Sequence, residues 1–202
     1  AGPELWLGVE FKPVVGSWAE DRMTPEGEEP ISMRVSVVGQ EEESYWYETL
    51  ITDEEGETFV TKMLVAGNPG DHDNISRLII KYGDEPAMEM PMQLGQMQQM
   101  QKADPSEEPE VEEEEVPETE RSMETVTVPA GTFEAHHWRT TADDMPYDVW
   151  VSEGVGPYGL IKSTSDDFEM VLMAHGDDAE SLITEEPQSF EMPGFKMPGM
   201  GD

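Results

Sequence analysis

Apolar residues recur at every second position along much of the chain, and Gly or Pro punctuates the gaps. Successive side chains on a strand point to opposite sides, so this period marks strands with one face buried. Val126 and Val128 fall in step, then Tyr147, Val149 and Val151, then Phe168, Met170 and Leu172. Upstream, Ile31, Met33, Val35 and Val37 alternate, as do Leu78, Ile80 and Tyr82, and Asp53–Glu57 reads as the turn of a hairpin between 45–52 and 58–66. The pattern predicts strands near 17–24, 31–38, 45–52, 58–66, 76–82, 124–139, 147–152, 159–164 and 168–174. Pro25-Glu26-Gly27 and Pro129-Ala130-Gly131 supply corners, because Pro presets φ and Gly accepts positive φ. Gly154, Gly156, Pro157 and Gly159 interrupt their run so densely that the chain must bend there, as strands do where a sheet curls. The expected fold is mainly β, a curved antiparallel sheet or half-open barrel with few short helices, in one domain over 1–202.

The run YWYETLIT at 45–52 departs from simple alternation. Tyr45, Tyr47 and Ile51 are apolar on one face, and Trp46 and Leu50 on the other, whereas a sheet with one wet side would be polar on one of them. Something apolar must cover the second face. The candidates are a helix, the Met-rich segment that follows Pro86, or a hydrophobic ligand. Residues 1–15, with Leu5, Trp6, Leu7, Val9 and Phe11, suit either a docked helix or an edge strand.

Two motifs resemble a known group. V-x-V-P-A-G-T-F at 126–133 and W-V-S-x-x-V-G at 150–156, followed by the apolar strand 168–174, are similar to exported bacterial proteins of the lipoprotein-carrier superfamily, the LolA/LppX-like half-open barrels. The resemblance implies a curved sheet around an apolar cavity, no catalytic residues, and a place in the periplasm or cell envelope. A chain that opens at Ala1 without an initiator Met is then expected to have lost a leader.

Charge narrows the choice of partner. Eleven Lys and Arg against 46 Asp and Glu give −35, which excludes non-specific nucleic-acid binding, where phosphates require basic contacts. Ten of the acids lie in 103–120, a Pro- and Glu-rich stretch with too little apolar content to offset its ordering entropy, so it reads as a disordered linker inside the domain. The remaining −25 is spread over the rest of the chain, which fits adaptation to high salt better than cation buffering or nucleic-acid mimicry. The 185–202 segment, with Met-Pro-Gly twice, reads as a flexible tail.

Candidate chemistry is sparse. Cys is absent, so there is no disulfide framework and no thiolate site. His136 and His137 point to opposite faces of a strand and cannot share an ion, and Asp71, Asp73 and Asn74 lack the Gly and closing Glu of a calcium loop. No nucleophile elbow or phosphate-binding glycine loop occurs, so a non-enzyme without a cofactor is expected. Large aromatic and aliphatic residues on the strands are the candidate lining of an apolar cavity: Trp18, Trp46, Tyr47, Leu50, Trp138, Trp150 and Met170. The primary expectation is a binding protein for a lipid or other hydrophobic molecule, with an envelope protein as a possible partner. Met88, Met90, Met92, Met97 and Met100 carry the alternative, a soft Cu(I) site built from thioethers, and a structural or assembly role is a third.

Overall fold

The computed structural model describes residues 5–6, 9–10, 13–69, 72–91, 120–142 and 145–189. Two short strands, β1 (Leu5–Trp6) and β2 (Val9–Glu10), pair with each other in a sheet of their own. The remaining strands are β3 (Trp18–Pro25), β4 (Ile31–Glu41), β5 (Ser44–Thr52), β6 (Thr58–Val65), β7 (Ile75–Tyr82), β8 (Met88–Met90), β9 (Glu120–Val128), β10 (Gly131–Ala142), β11 (Met145–Val151), β12 (Leu160–Ser165), β13 (Phe168–Gly176) and β14 (Gln188–Ser189). They form one 12-stranded sheet in the order β14-β8-β7-β6-β5-β4-β3-β13-β12-β11-β10-β9. The helical content described is a single 3-10 turn, His72–Asn74. Among the described residues no helix is long and apolar enough to cross a membrane.

The predicted strands are all present. The span 124–139 is two strands rather than one, β9 and β10, paired as a hairpin with its corner at Pro129 and Ala130. Two strands escaped the periodicity: β8 is only three residues long, and β14, two residues long, pairs parallel to β8, which makes the sheet mixed. The topology is two meanders, β3–β8 and β9–β13, joined side by side where β3 pairs with β13. Consequently β8 and β9, consecutive in the chain, lie far apart in the sheet, β9 at one edge and β8 next to β14 at the other. All of the acidic stretch except Glu120 lies between them and outside the described residues, as do 190–202 of the expected tail; residues 185–189 are described and include β14.

The second meander curls strongly. β9 touches β12 and β13 as well as its neighbour β10, and the Ala130 N–H donates to Leu172 O at 3.3 Å. This brings Val128, Ala135, Ile161, Val171 and Leu172 into one core with Val155 and Ala19. Bulges at Trp150/Val151 and Leu172/Ala174 allow the bend, as the glycine-rich interruption suggested.

The first meander is covered differently. After β13 the chain docks on Gly16, whose φ of +95° few other residues tolerate and where a Cβ would come within 2.5 Å of Asp177 O. From there residues 177–189 run as an extended strap across β5, β6 and β7 to β8. The strap buries Ile183 against Trp46, Val60, Leu64, Ile79 and Ala87, with Leu50 alongside. This is the cover that the two-sided apolar pattern of 45–52 required. A segment of the chain itself supplies it on the Trp46 side.

Candidate functional site

Residues directly opposite each other in an antiparallel pair point to the same side of the sheet, so the register fixes which residues share the other face. One row runs Met90–Leu78–Met63–Tyr47–Val37 across β8, β7, β6, β5 and β4. Two positions along lies Met88–Ile80–Thr61–Thr49–Val35, and four positions along Tyr82–Phe59–Ile51–Met33–Asp21–Leu172 continues the face through β3 into β13. A further row adds Ile31, Met23 and Met170. Six of the 15 Met residues therefore stand on one face: Met23, Met33, Met63, Met88, Met90 and Met170. At one end Tyr158, from the β11–β12 connection, stacks parallel to Tyr47 at 6.2 Å and packs with Val37 and Val65. Burial pushes both phenols well above the ordinary tyrosine range. Elsewhere the rows are only half-buried: Ile31, Met33, Ile51, Phe59, Leu78 and Ile80 all keep part of their surface open. A face this broad, apolar and incompletely covered by the described residues is what a hydrophobic partner recognises.

Besides Thr49 and Thr61, one acid interrupts it. Asp21 sits between Met33 and Leu172, is only 4% exposed, and its Oδ1 is fully buried with no hydrogen-bond partner among the described residues. Burial, reinforced by the adjacent Glu20, pushes its carboxyl up to about 7 from 3.8. The buried Glu48 on the opposite face behaves differently, because the strap satisfies it. Glu48 accepts from Leu182 N (2.8 Å), Ile183 N (3.4 Å) and Ser181 Oγ (2.8 Å). Lys62, beside it on β6, donates to Ser181 Oγ and Ile183 O.

The seven cavity candidates do not share one place. Tyr47 and Met170 lie on the open face, Tyr47 at its Tyr158 end and Met170 opposite Met23. Trp46 and Leu50 lie under the strap, with Trp46 Nε1 donating to Glu41 and its ring beside Lys62 and Arg77. Trp18 anchors the start of the strap by donating to Asp178 Oδ1 at 2.8 Å, with Arg34 over its ring at 3.9 Å. Trp138 packs with Val149 and Val151 in the second meander, and Trp150 packs against the core there. Trp150 also stacks on His137 at 4.4 Å, and both side chains bond Glu124. His136 is exposed while His137 is held between Glu124 and Asp148, so the adjacent histidines do face opposite ways. Of the thioether set, Met88 and Met90 stand on the open face opposite Ile80 and Leu78, and Met92, Met97 and Met100 lie outside the described residues. Among the described residues no group of three or more His, Cys, Asp or Glu is placed to hold a metal.

Asp21 was missed, although a signal existed. It occupies an apolar-parity position in WAEDRMT, between Ala19 and Met23, and an acid there must be either paired or functional.

No protein-family model matches the chain, and no curated protein does. Among solved structures, the chain is similar to a candidate exported protein with a YmcC-like fold from Bacteroides fragilis, at 12% identity and a TM-score of 0.41, covering 82% of this chain and 98% of that one. A candidate lipoprotein from Parabacteroides distasonis is similar at 13% identity and a TM-score of 0.37, covering 82% and 97%. MucB, in its complex with MucA, is similar at 9% identity and a TM-score of 0.31, covering 82% and 51%.

Proposed function

We propose that this is an exported, non-enzymatic protein of the cell envelope that holds a lipid or other hydrophobic molecule on the open face of its first meander. The observation that carries the reading is the contrast in cover. The chain's own strap buries one apolar face, while the face of Met23, Met33, Ile51, Phe59, Leu78 and Ile80 is left half-exposed by the described residues. Thioether side chains are flexible and polarizable, so a methionine-rich surface adapts to acyl chains of varied shape. The exported setting rests on the lipoprotein-carrier resemblance of the 126–133 and 150–156 motifs.

The test is titration with an environment-sensitive acyl probe, followed by displacement with extracted envelope lipid. Saturable one-site binding that weakens at least about tenfold in Ile51→Glu, which plants a charge in the middle of the face, is expected. Binding unchanged in that variant would move the ligand elsewhere, and no saturable binding at all would leave a structural role ahead.

A further inference from the structure

Asp21 is an anomaly for a face that takes plain hydrocarbon. A carboxyl buried among Met33, Met23 and Leu172 with an unbonded oxygen destabilises the fold unless it serves something. Resting on the ligand-binding reading above, we propose that the ligand is a cationic amphiphile, a long-chain amine whose ammonium group pairs with the Asp21 carboxylate while its chain lies along the methionine rows.

Three observations converge on the amine. The first is the free oxygen, which offers an acceptor that no described side chain uses. The second is that the nearest described cations do not compete: Arg22 on β3 and Arg34 on β4 alternate with Asp21 and Met33 and so stand on the other side of the sheet, Arg34 over Trp18. The third is the net charge of −35, which draws cationic amphiphiles and repels anionic lipid. An alcohol would satisfy the oxygen too, but it would take nothing from that field. The carboxyl is also poised for the exchange. With its titration near 7, giving up its proton to meet an ammonium at neutral pH costs almost nothing, whereas a proton held as tightly as a phenol's would oppose the pairing.

The pairing is proton-linked. The other ionisable groups around Asp21 are Glu20 and Arg22 on its own strand, Arg34 on β4, and Glu169 on β13, all alternating onto the opposite face. His175, opposite Ala19 beyond the β13 bulge, lies edge-on against Phe133. Because Asp21 must be ionised to pair with an ammonium, amine affinity should fall from pH 8 to pH 5 by about the advantage that the charge confers, through the titration of that one group.

The experiment measures the binding of dodecylamine, dodecanol and dodecanoate below their micelle concentrations, to the full chain and to Asp21→Asn. The expected result is dodecylamine tighter than dodecanol by about tenfold or more at pH 8, the size of a charge-assisted hydrogen bond. That advantage should vanish in Asp21→Asn and at pH 5, with dodecanol binding unchanged in both. Saturable dodecanol binding with no amine preference would overturn the cationic ligand and leave the apolar-face reading standing. Dodecanoate binding best at pH 5 would overturn it in favour of acid–acid pairing. If none of the three probes saturates the wild type, the apolar face itself is not a ligand site and both proposals fail. The pH series on wild type decides the point even if the variant is poorly folded.

Discussion

The two faces of the β3–β8 meander are built from the same strands yet solve opposite problems. On the Trp46 face the acid Glu48 lies under the strap, and its carboxylate accepts hydrogen bonds from backbone and side chain of 181–183. On the Met33 face the acid Asp21 is buried as well, but its Oδ1 has no hydrogen-bond partner among the described residues. Both carboxyls are nearly inaccessible, at 3% and 4% exposure, so burial alone does not separate them. What separates them is whether donors were brought along. An acid supplied with donors fastens a structural element, and the one without them is the feature on which the proposed amine contact rests.

The largest expected break in this comparison is Glu48→Ala. It leaves the Leu182 and Ile183 amides and the Ser181 hydroxyl without their acceptor in a closed space and releases the strap from Trp46 and Ile79. Each buried donor left without its acceptor costs about 1–3 kcal/mol, so a large drop in melting temperature is expected by calorimetry. A drop of less than a degree or two would mean that the strap is held by its apolar contacts alone.

Asp21→Asn should act in the opposite direction, and only above a certain pH. The folded-state titration is raised from 3.8 to about 7, so the folded protein binds a proton that the unfolded chain releases. The stability of the neutral form is complete below about pH 4, declines between pH 4 and 7, and is lost above 7. That shift corresponds to at most about 4 kcal/mol. Denaturant melts from pH 4 to 8 should therefore show wild type losing stability while Asp21→Asn stays level and becomes the more stable protein at pH 8. Parallel profiles for the two proteins would show that Asp21 is solvated or paired.

Much of the sheet was legible because its strands are long and their corners carry Gly or Pro. The span 58–65 needs only its alternation and the Asp53–Glu57 turn to be read as the second arm of a hairpin. The run 45–52 even announced, through Trp46 and Leu50, that a second cover was needed. The identity of that cover was not legible. The strap's large apolar residues are only Leu182 and Ile183, and part of its hold on the sheet comes from backbone amides, which leave no trace in residue type. β8 was hidden in the same way, as three residues inside a low-complexity run that pair only because β7 presents an open edge. The grouping of the site was least legible. Alternation assigns Trp46 and Tyr47 to opposite faces, but only the register of several strands shows that Met23, Met33 and Met170 surround an acid.

The smallest expected effect uses two neighbours on β7. Ile79 is 4% exposed and packs under the strap with Ile183, whereas Ile80 stands on the open face between Met88 and Thr61 and is half-buried. Ile79→Ala removes methylenes from a closed space and leaves a cavity, for a cost of about 2–4 kcal/mol. Ile80→Ala removes the same atoms from a surface that already meets solvent, so its cost is expected to stay near or below about 1 kcal/mol. Strand propensity, hydrogen-bond ladder and chain position are nearly common to both, so the difference reports cover and little else. Chemical denaturation of the two variants side by side measures it. Equal losses would mean that the Ile80 face is as closed as the Ile79 face, and the proposed ligand surface would then be an ordinary part of the core. A small loss for Ile80→Ala that grows when the acyl probe is present would instead place the ligand against this residue, because a bound molecule stabilises the fold only in proportion to its affinity.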